Sequence, residues 1–254
     1  MKVTFLGTGT STGVPQIGCE CQVCRSTDTR DRRLRASVLL QTDEGDNLLI
    51  DCGPDFYHQI LRIGAPQLTA LLITHSHYDH VGGVDDLRPY CRHGSFPVYC
   101  QADVADDLKS RVPYCFVKHL YPGVPTYNIH LIQAYHPFIV GQTTVMPLAV
   151  MHHKLQILGF RVNQFAYITD CKTMPQQTID ALKNIDTLVI NALRIEPHLS
   201  HQSLSEALKL IKEINPRVAY LTHMSHQMGL HSGISGQLPD NVFLAYDGLE
   251  IHVE

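Results

Sequence analysis

Three histidines and one aspartate lie within six residues of the sequence, as His75, His77, Asp79 and His80. They follow the apolar run Ala70-Leu71-Leu72-Ile73-Thr74, which has the composition of a buried strand. In an extended segment alternate side chains point the same way, so His75 and His77 can hold one ion together. Asp79 and His80 fall on the turn into a following helix and offer ligands to a second ion. The motif therefore predicts a hydrolase that activates a water between two divalent cations.

This motif resembles that of the metallo-β-lactamase superfamily. The resemblance implies an α/β (α+β) fold, a four-layer αββα sandwich, formed as a single domain by residues 1–254. It also implies further ligands at the ends of later strands. His152 would complete the first metal site, Asp170 would bridge both ions, and His223 would complete the second site. His153 competes with His152 for its role, because adjacent residues of a strand differ only in the face they occupy.

Two other aspartates also end apolar segments, Asp51 before Gly53 and Asp247 before Gly248. By the same resemblance, Asp51 is a carboxylate that orients a ligand histidine by accepting its free ring N–H. The alternative is an aspartate that caps a turn. Asp247 has the same two interpretations, and neither residue is predicted to be a ligand.

Three cysteines form a second cluster, Cys19, Cys21 and Cys24. Disulfides between thiols this close would be strained, whereas one tetrahedral Zn²⁺ can bind all three thiolates. His226 is the predicted fourth ligand because it follows His223 by three residues, and His231 or a water are the alternatives. Such a zinc would tie the N-terminal loop to the segment that carries His223 and would have a structural role.

Further segments narrow the resemblance. They are the glycine-rich opening at 7–15, the cysteine cluster, His223-x-x-His226 and the ending at 246–251. Together with the His75 motif they are similar, over nearly the whole chain, to the phosphodiesterases of the carbon-phosphorus lyase pathway. This implies a two-metal enzyme with an additional structural zinc, acting on small phosphodiesters such as cyclic phosphates of ribose or nucleotides. Zn²⁺, Mn²⁺ and Fe²⁺ are all compatible with the histidine and aspartate ligands.

The leaving alkoxide of a phosphodiester needs a proton donor, and His201 is the predicted acid. It resembles the acid histidine proposed for the family, and a helix over 201–214, capped by Ser200, is predicted to begin at this residue. The positive end of that helix would favour a phosphate nearby. His198 is the rival for the acid role, and Asp79 counts with His201 among the predicted catalytic residues.

Other functions use the same metal core. A tRNA 3′-end ribonuclease is disfavoured by the formal charge of -4 and by the lack of a long Gly/Pro-rich arm, so nucleic acid is an unlikely partner. An acyl or thioester hydrolase of the glyoxalase II or lactonase type is chemically feasible. A zinc-binding module without activity ranks last, because every ligand position has a suitable residue. The oligomeric state is left open between a monomer and a homodimer.

Apolar runs predict twelve strands that look like antiparallel pairs, with helices between some of them. No stretch has the ~20 apolar residues of a membrane span, and no leader is recognisable, so we expect a cytoplasmic protein. The segments 112–128 and 225–237 are predicted loops that either flank the substrate or simply connect elements. Five scattered cysteines are predicted to be buried, reduced thiols: Cys52, Cys91, Cys100, Cys115 and Cys171. The predicted strands cover 2–6, 37–42, 47–51, 70–74, 96–100, 129–134, 143–150, 157–162, 165–169, 187–191, 217–222 and 242–251, and further helices cover 55–63, 84–91, 103–111, a segment near 81 and one after Pro175.

Overall fold

Two mixed β-sheets of seven strands each form the centre of the molecule in the computed structural model, which describes residues 1–92, 94–117 and 123–253. The first sheet has the strand order β14-β1-β2-β3-β4-β5-β6 and the second the order β13-β12-β11-β10-β9-β8-β7. The strands of the first sheet, apart from the last strand of the chain, are β1 Lys2–Gly7, β2 Ser37–Gln41, β3 Asn47–Ile50, β4 Ala70–Leu72, β5 Phe96–Cys100 and β6 Tyr127–Leu131. Those of the second are β7 Phe138–Val140, β8 Thr143–His152, β9 Leu155–Val162, β10 Phe165–Ile168, β11 Thr187–Asn191, β12 Val218–Thr222 and β13 Val242–Leu244, and β14 Glu250–His252 returns to the first sheet.

Helices cover the outer faces of both sheets. The α-helices are α1 Phe56–Arg62, α2 Tyr78–Val81, α3 Ala102–Arg111, α4 Gln176–Leu182, α5 Leu204–Ile214 and α6 His231–Ser235. Fully buried residues of both sheets, among them Phe5, Phe160 and Tyr167, meet in one core between the sheets. Two further cores lie under the helices on either side. These layers confirm the predicted αββα sandwich.

Half of each sheet consists of parallel strands, whereas the sequence analysis predicted antiparallel pairs. Strands β3 to β6 are parallel, and so are β10 to β13. Parallel neighbours need a crossover connection, and α1, α3, α4 and α5 lie in such connections. Strands β8 and β10 run in the same direction, because each is antiparallel to β9. Strand β12 shares this direction, because β10, β11 and β12 are parallel, so the three strands end at the same edge of the sheet.

Several predicted boundaries were wrong for local reasons. The single strand predicted over 242–251 is two strands in different sheets, because the chain turns at Gly248, whose φ is 91°. The strand predicted at 129–134 is β6, and β7 was missed. The helix predicted at 84–91 is a 3-10 helix with Pro89 inside it. Other 3-10 helices are Thr29–Asp31, Pro113–Phe116 and His226–Met228.

The predicted loops hold some short helices. Segment 225–237 contains α6 and a 3-10 helix, and segment 112–128 contains a 3-10 helix and the start of β6. Residues 118–122 of the second segment lie outside the described residues. Four of the five scattered cysteines are buried, and Cys91 is partly exposed. Within the described residues, no helix combines the length and the hydropathy that crossing a bilayer requires.

Helix α5 begins three residues later than the sequence suggested. Its N-cap is Ser203, not Ser200: the Ser203 hydroxyl accepts from the backbone N–H of Glu206, and the Glu206 carboxylate accepts from the backbone N–H of Ser203. This reciprocal capping box satisfies two free donors of the first turn. His201 therefore lies before helix α5 and does not begin it. Two backbone donors at the N-terminus of α5 are already bound by the Ser203 hydroxyl and the Glu206 carboxylate.

We expect Ser203→Ala to lower the free energy of unfolding by about 1 kcal/mol, because the helix loses its cap. Ser200→Ala is the matched control and is expected to change it by less than about 0.5 kcal/mol. Urea unfolding of both variants measures the difference. An equal loss in the two variants would contradict the assignment of the cap.

Candidate metal centre

The His75 motif forms the turn between β4 and α2 and continues into α2. His75 is buried, and its Nε2 lies 3.0 Å from Nδ1 of the exposed His77. Asp79 and His80 belong to α2, so the helix begins at Tyr78 and not near residue 81 as predicted. Both side chains are buried, and α2 turns them towards the end of the second sheet.

Asp170 lies at the middle of the cluster, two residues after the end of β10. Its Oδ2 is 3.1 Å from Nε2 of His80 and 3.3 Å from Nε2 of His223. Its Oδ1 is 4.0 Å from Nε2 of His75 and 3.6 Å from Nδ1 of His201. The two oxygens of one buried carboxylate therefore face two different sets of histidines.

Asp79 closes one side of the cluster. Its Oδ2 lies 3.2 Å from Nε2 of His80 and 3.4 Å from Nε2 of His223. Potential ligand atoms of these three residues and of Asp170 all lie within 4.8 Å of one another, which is close enough for a single ion.

His152 belongs to the cluster, whereas His153 is exposed and has a φ of 54°. The Nδ1 of His152 lies 2.9 Å from the carbonyl oxygen of Asp170 and 3.0 Å from that of Ser200. Both partners are acceptors, so Nδ1 carries the proton and Nε2 is free to bind a metal. The His152 ring centroid lies 5.1 Å from that of His77 and 5.7 Å from that of His75.

His201, the predicted acid, lies among the predicted ligands. Together with His152 and Asp170 it forms a second group whose ligand atoms lie within 4.8 Å of one another. Its ring is stacked on that of His223, with centroids 5.0 Å apart. His198, the rival for the acid role, lies next to it, with ring centroids 5.3 Å apart.

The protonation of the cluster reflects burial and close charges. Burial holds the pKa of His75 well below its ordinary value and lowers that of His201 to about 3. Burial would raise the pKa of Asp170, but the charges on His223 and His80 outweigh it, so that pKa lies well below its usual range. Conversely, three carboxylates raise the pKa of His80 against the effect of burial.

The donor set fits divalent cations. His80 Nε2, His201 Nδ1 and His223 Nδ1 are buried without a hydrogen-bond partner among the described residues. Imidazole nitrogens and carboxylate oxygens are ligands that zinc and manganese accept. A cation bound between His80 Nε2 and the neighbouring carboxylates would give this nitrogen a partner. A buried polar atom without a partner costs free energy.

Asp51 orients one histidine of the cluster. Its Oδ2 lies 2.7 Å from Nδ1 of His80, and its Oδ1 accepts from the backbone N–H of Thr74 at 2.9 Å. This fixes the His80 ring with Nε2 facing Asp79 and Asp170. Asp247 has a different role, because its carboxylate accepts from Thr8 and from the backbone of Leu34.

The cysteine cluster lies beside His226 in the structure. Nδ1 of His226 is 3.4 Å from Sγ of Cys19 and 3.3 Å from Sγ of Cys21, and the ligand atoms of all three cysteines and His226 lie within 4.8 Å of one another. His231, the alternative, lies in α6 and donates its backbone N–H to Asp31.

Backbone pairing joins the start of the N-terminal loop to the His223 segment. Met224, directly after His223, donates to the carbonyl of Thr8 and accepts from the N–H of Thr10. The N-terminal loop and the segment that follows β12 are thus hydrogen-bonded to each other.

Sequence reasoning missed Asn191, a fully buried polar residue that ends β11. Its side chain forms two hydrogen bonds with the backbone of Cys171, next to Asp170. The sequence did contain one signal for Asn191, which is a polar residue at the end of an apolar strand. It contained no signal for the hydrogen bonds between Asn191 and Cys171, twenty residues earlier.

The chain is similar in sequence to several known proteins. A model described as a β-lactamase superfamily domain matches residues 46–224. A Porphyromonas gingivalis protein named octanoyltransferase is 43% identical over 255 residues, covering 100% of this chain and 52% of that protein. A ribonuclease Z from Nostoc punctiforme is 28% identical over 170 residues, covering 64% of this chain and 46% of that protein. The chain spans about half the length of these curated relatives.

Among solved structures, the crystal structure of a new diphosphatase from the PhnP family superposes with a TM-score of 0.92. It is 35% identical in sequence, and the match covers 100% of this chain and 98% of that one. The superfamily match and this similarity over both whole chains show that the protein belongs to the β-lactamase superfamily and, within it, to the PhnP family of metallo-β-lactamase-fold hydrolases.

Proposed function

We propose that this protein is a metal-dependent phosphodiesterase that acts on small phosphodiesters, such as cyclic phosphates of ribose or nucleotides. The observation that carries the proposal is the Asp170 carboxylate, which turns one oxygen to His80 and His223 and the other to His75 and His201. A carboxylate so placed can be shared by two ions.

The surrounding residues divide into two ligand sets. His75, His77 and His152 would hold one ion, and Asp79, His80 and His223 would hold the other, with Asp170 between them. When bound, such a pair of ions neutralises charge on the phosphoryl oxygens and supplies a strong nucleophile at neutral pH. Zinc or manganese would suit these ligands. A structural zinc would bind Cys19, Cys21, Cys24 and His226.

The chain's own residues orient this centre and move a proton. Asp51 holds the His80 ring in one tautomer, and the carbonyls of Asp170 and Ser200 do the same for His152. His201 lies beside the Asp170 carboxylate and is the proposed donor of a proton to the leaving alkoxide. A phosphodiester anion next to the ring would favour its charged form.

Two similarities support hydrolysis at phosphorus over hydrolysis at a carbonyl carbon. The PhnP-family structure is named a diphosphatase, and the curated relatives include ribonuclease Z, so both names denote hydrolysis of bonds to phosphorus. The formal charge of -4 favours a small substrate over a long polyanion.

An acyl or thioester hydrolase is the second candidate. The 43% identical octanoyltransferase favours it, although the match covers only 52% of that protein. A site of this kind can direct a nucleophile at a carbonyl carbon as well as at phosphorus.

A substrate panel separates the candidates: bis-p-nitrophenyl phosphate, cyclic nucleotides, pre-tRNA and an octanoyl thioester. We expect kcat/KM for a phosphodiester to exceed that for the thioester by at least about 100-fold, and pre-tRNA to remain uncut. Asp170→Asn, which removes the shared carboxylate charge, and chelation should both abolish the activity. Faster turnover of the thioester, or specific cleavage of pre-tRNA, would refute the proposal.

His201→Ala is expected to lower kcat by about 10²- to 10⁴-fold while the metal content per chain stays that of the parent. His198→Ala is the matched control and should change kcat by less than about threefold. Steady-state kinetics and element analysis of both variants provide the measurements. Loss of metal in His201→Ala would make His201 a ligand, and a large loss of kcat only in His198→Ala would assign the acid role to that residue.

A further inference from the structure

Asn191 ends the strand that lies between the two strands carrying Asp170 and His223. Strand β11 pairs with β10 on one side and with β12 on the other. The Asn191 side chain is fully buried; its Oδ1 accepts from the N–H of Cys171 at 2.6 Å, and its Nδ2 donates to the carbonyl of Cys171 at 3.0 Å. The Asn191 amide is therefore hydrogen-bonded to both the N–H and the carbonyl of Cys171.

The backbone around Asp170 explains the need for this amide. Asp170 has a φ of 52°, so the chain leaves the β10 ladder, which pairs with β11 as far as Ile168 and Ile190. Cys171 is fully buried, and its N–H would otherwise lack the strand partner that a buried backbone donor requires. The Asn191 side chain supplies that partner and also gives the Cys171 carbonyl a donor.

The same carbonyl also reaches the segment of the proposed acid. The backbone N–H of Gln202, the residue after His201, donates to the Cys171 carbonyl at 3.0 Å. The backbone N–H of Leu193 donates to the Gln202 carbonyl at 2.9 Å. Asn191 thus lies at a junction between the backbone that follows Asp170 and the backbone that follows His201.

We propose that Asn191 is a positioning residue of the metal centre, which fixes the backbone after Asp170 and thereby sets the Asp170 carboxylate against the histidines around it. The inference rests on the proposed function in one respect, because it takes Asp170 to be a metal ligand. Hydrogen-bonding partners of ligands commonly change metal affinity by 10- to 100-fold when they are removed.

The test uses the full chain loaded with Mn²⁺, which favours oxygen and imidazole ligands over the thiol cluster. Asn191→Leu removes both hydrogen bonds without adding charge, and Asn191→Asp removes only the donor. The same two substitutions at the exposed Asn128 on β6 are the controls. A chelator is added well below the melting temperature, and the electron paramagnetic resonance signal of free Mn²⁺ reports the rate of release.

We expect both Asn191 variants to release Mn²⁺ at least about tenfold faster than the parent and the Asn128 controls. The new carboxylate in Asn191→Asp would attract the ion, so faster release cannot come from its charge. The same variants should show a fall in kcat with KM changed less than about threefold. Release within twofold of the parent in a folded Asn191 variant would overturn the inference, even if its melting temperature falls. If Asn191→Leu does not fold, Asn191→Asp decides. Because no substrate enters the release measurement, failure of the phosphodiesterase proposal leaves this test intact.

Discussion

The centre of this molecule depends on one buried carboxylate, that of Asp170, held among histidines at the end of a strand. Burying a charged carboxylate without partners would cost several kcal/mol. His80 and His223 face one of its oxygens, and His75 and His201 face the other. These contacts keep its pKa low in spite of burial. The cost of burying the charge is offset only if the surrounding rings stay in place, so the rest of the site acts to hold them.

The fold supplies that rigidity through strand ends and left-handed residues. Asp51, Asp170 and His223 have φ values of 62°, 52° and 56° directly after or shortly after apolar strands. Such residues cost about 1–3 kcal/mol each and persist only where their surroundings fix them. Here the strained backbone turns each side chain out of its sheet and towards the cluster. Asn191, the capped helix α5 and the pairing of Met224 with the N-terminal loop hold these turns.

Much of the site could be predicted because its signals are local. The His75 motif places four predicted ligands within six residues, and the cysteine cluster places three within another six. His152 and His223 were found from strand ends and a family resemblance. The start of α5 was misplaced although Ser203 and Glu206 show the spacing of a capping box, because Ser200 also suits a cap. The hydrogen bonds between Asn191 and Cys171 and the parallel pairing of the strands could not be predicted, since both depend on which distant segments become neighbours.

The central claim is that the chain binds two metal ions that share the Asp170 carboxylate, together with a separate structural zinc. Element analysis of freshly purified protein, with metal expressed per chain, tests it most directly. We predict about three metals per chain, of which Cys21→Ser removes about one and Asp170→Asn removes at least one of the other two. One metal or none in the parent chain would contradict the account.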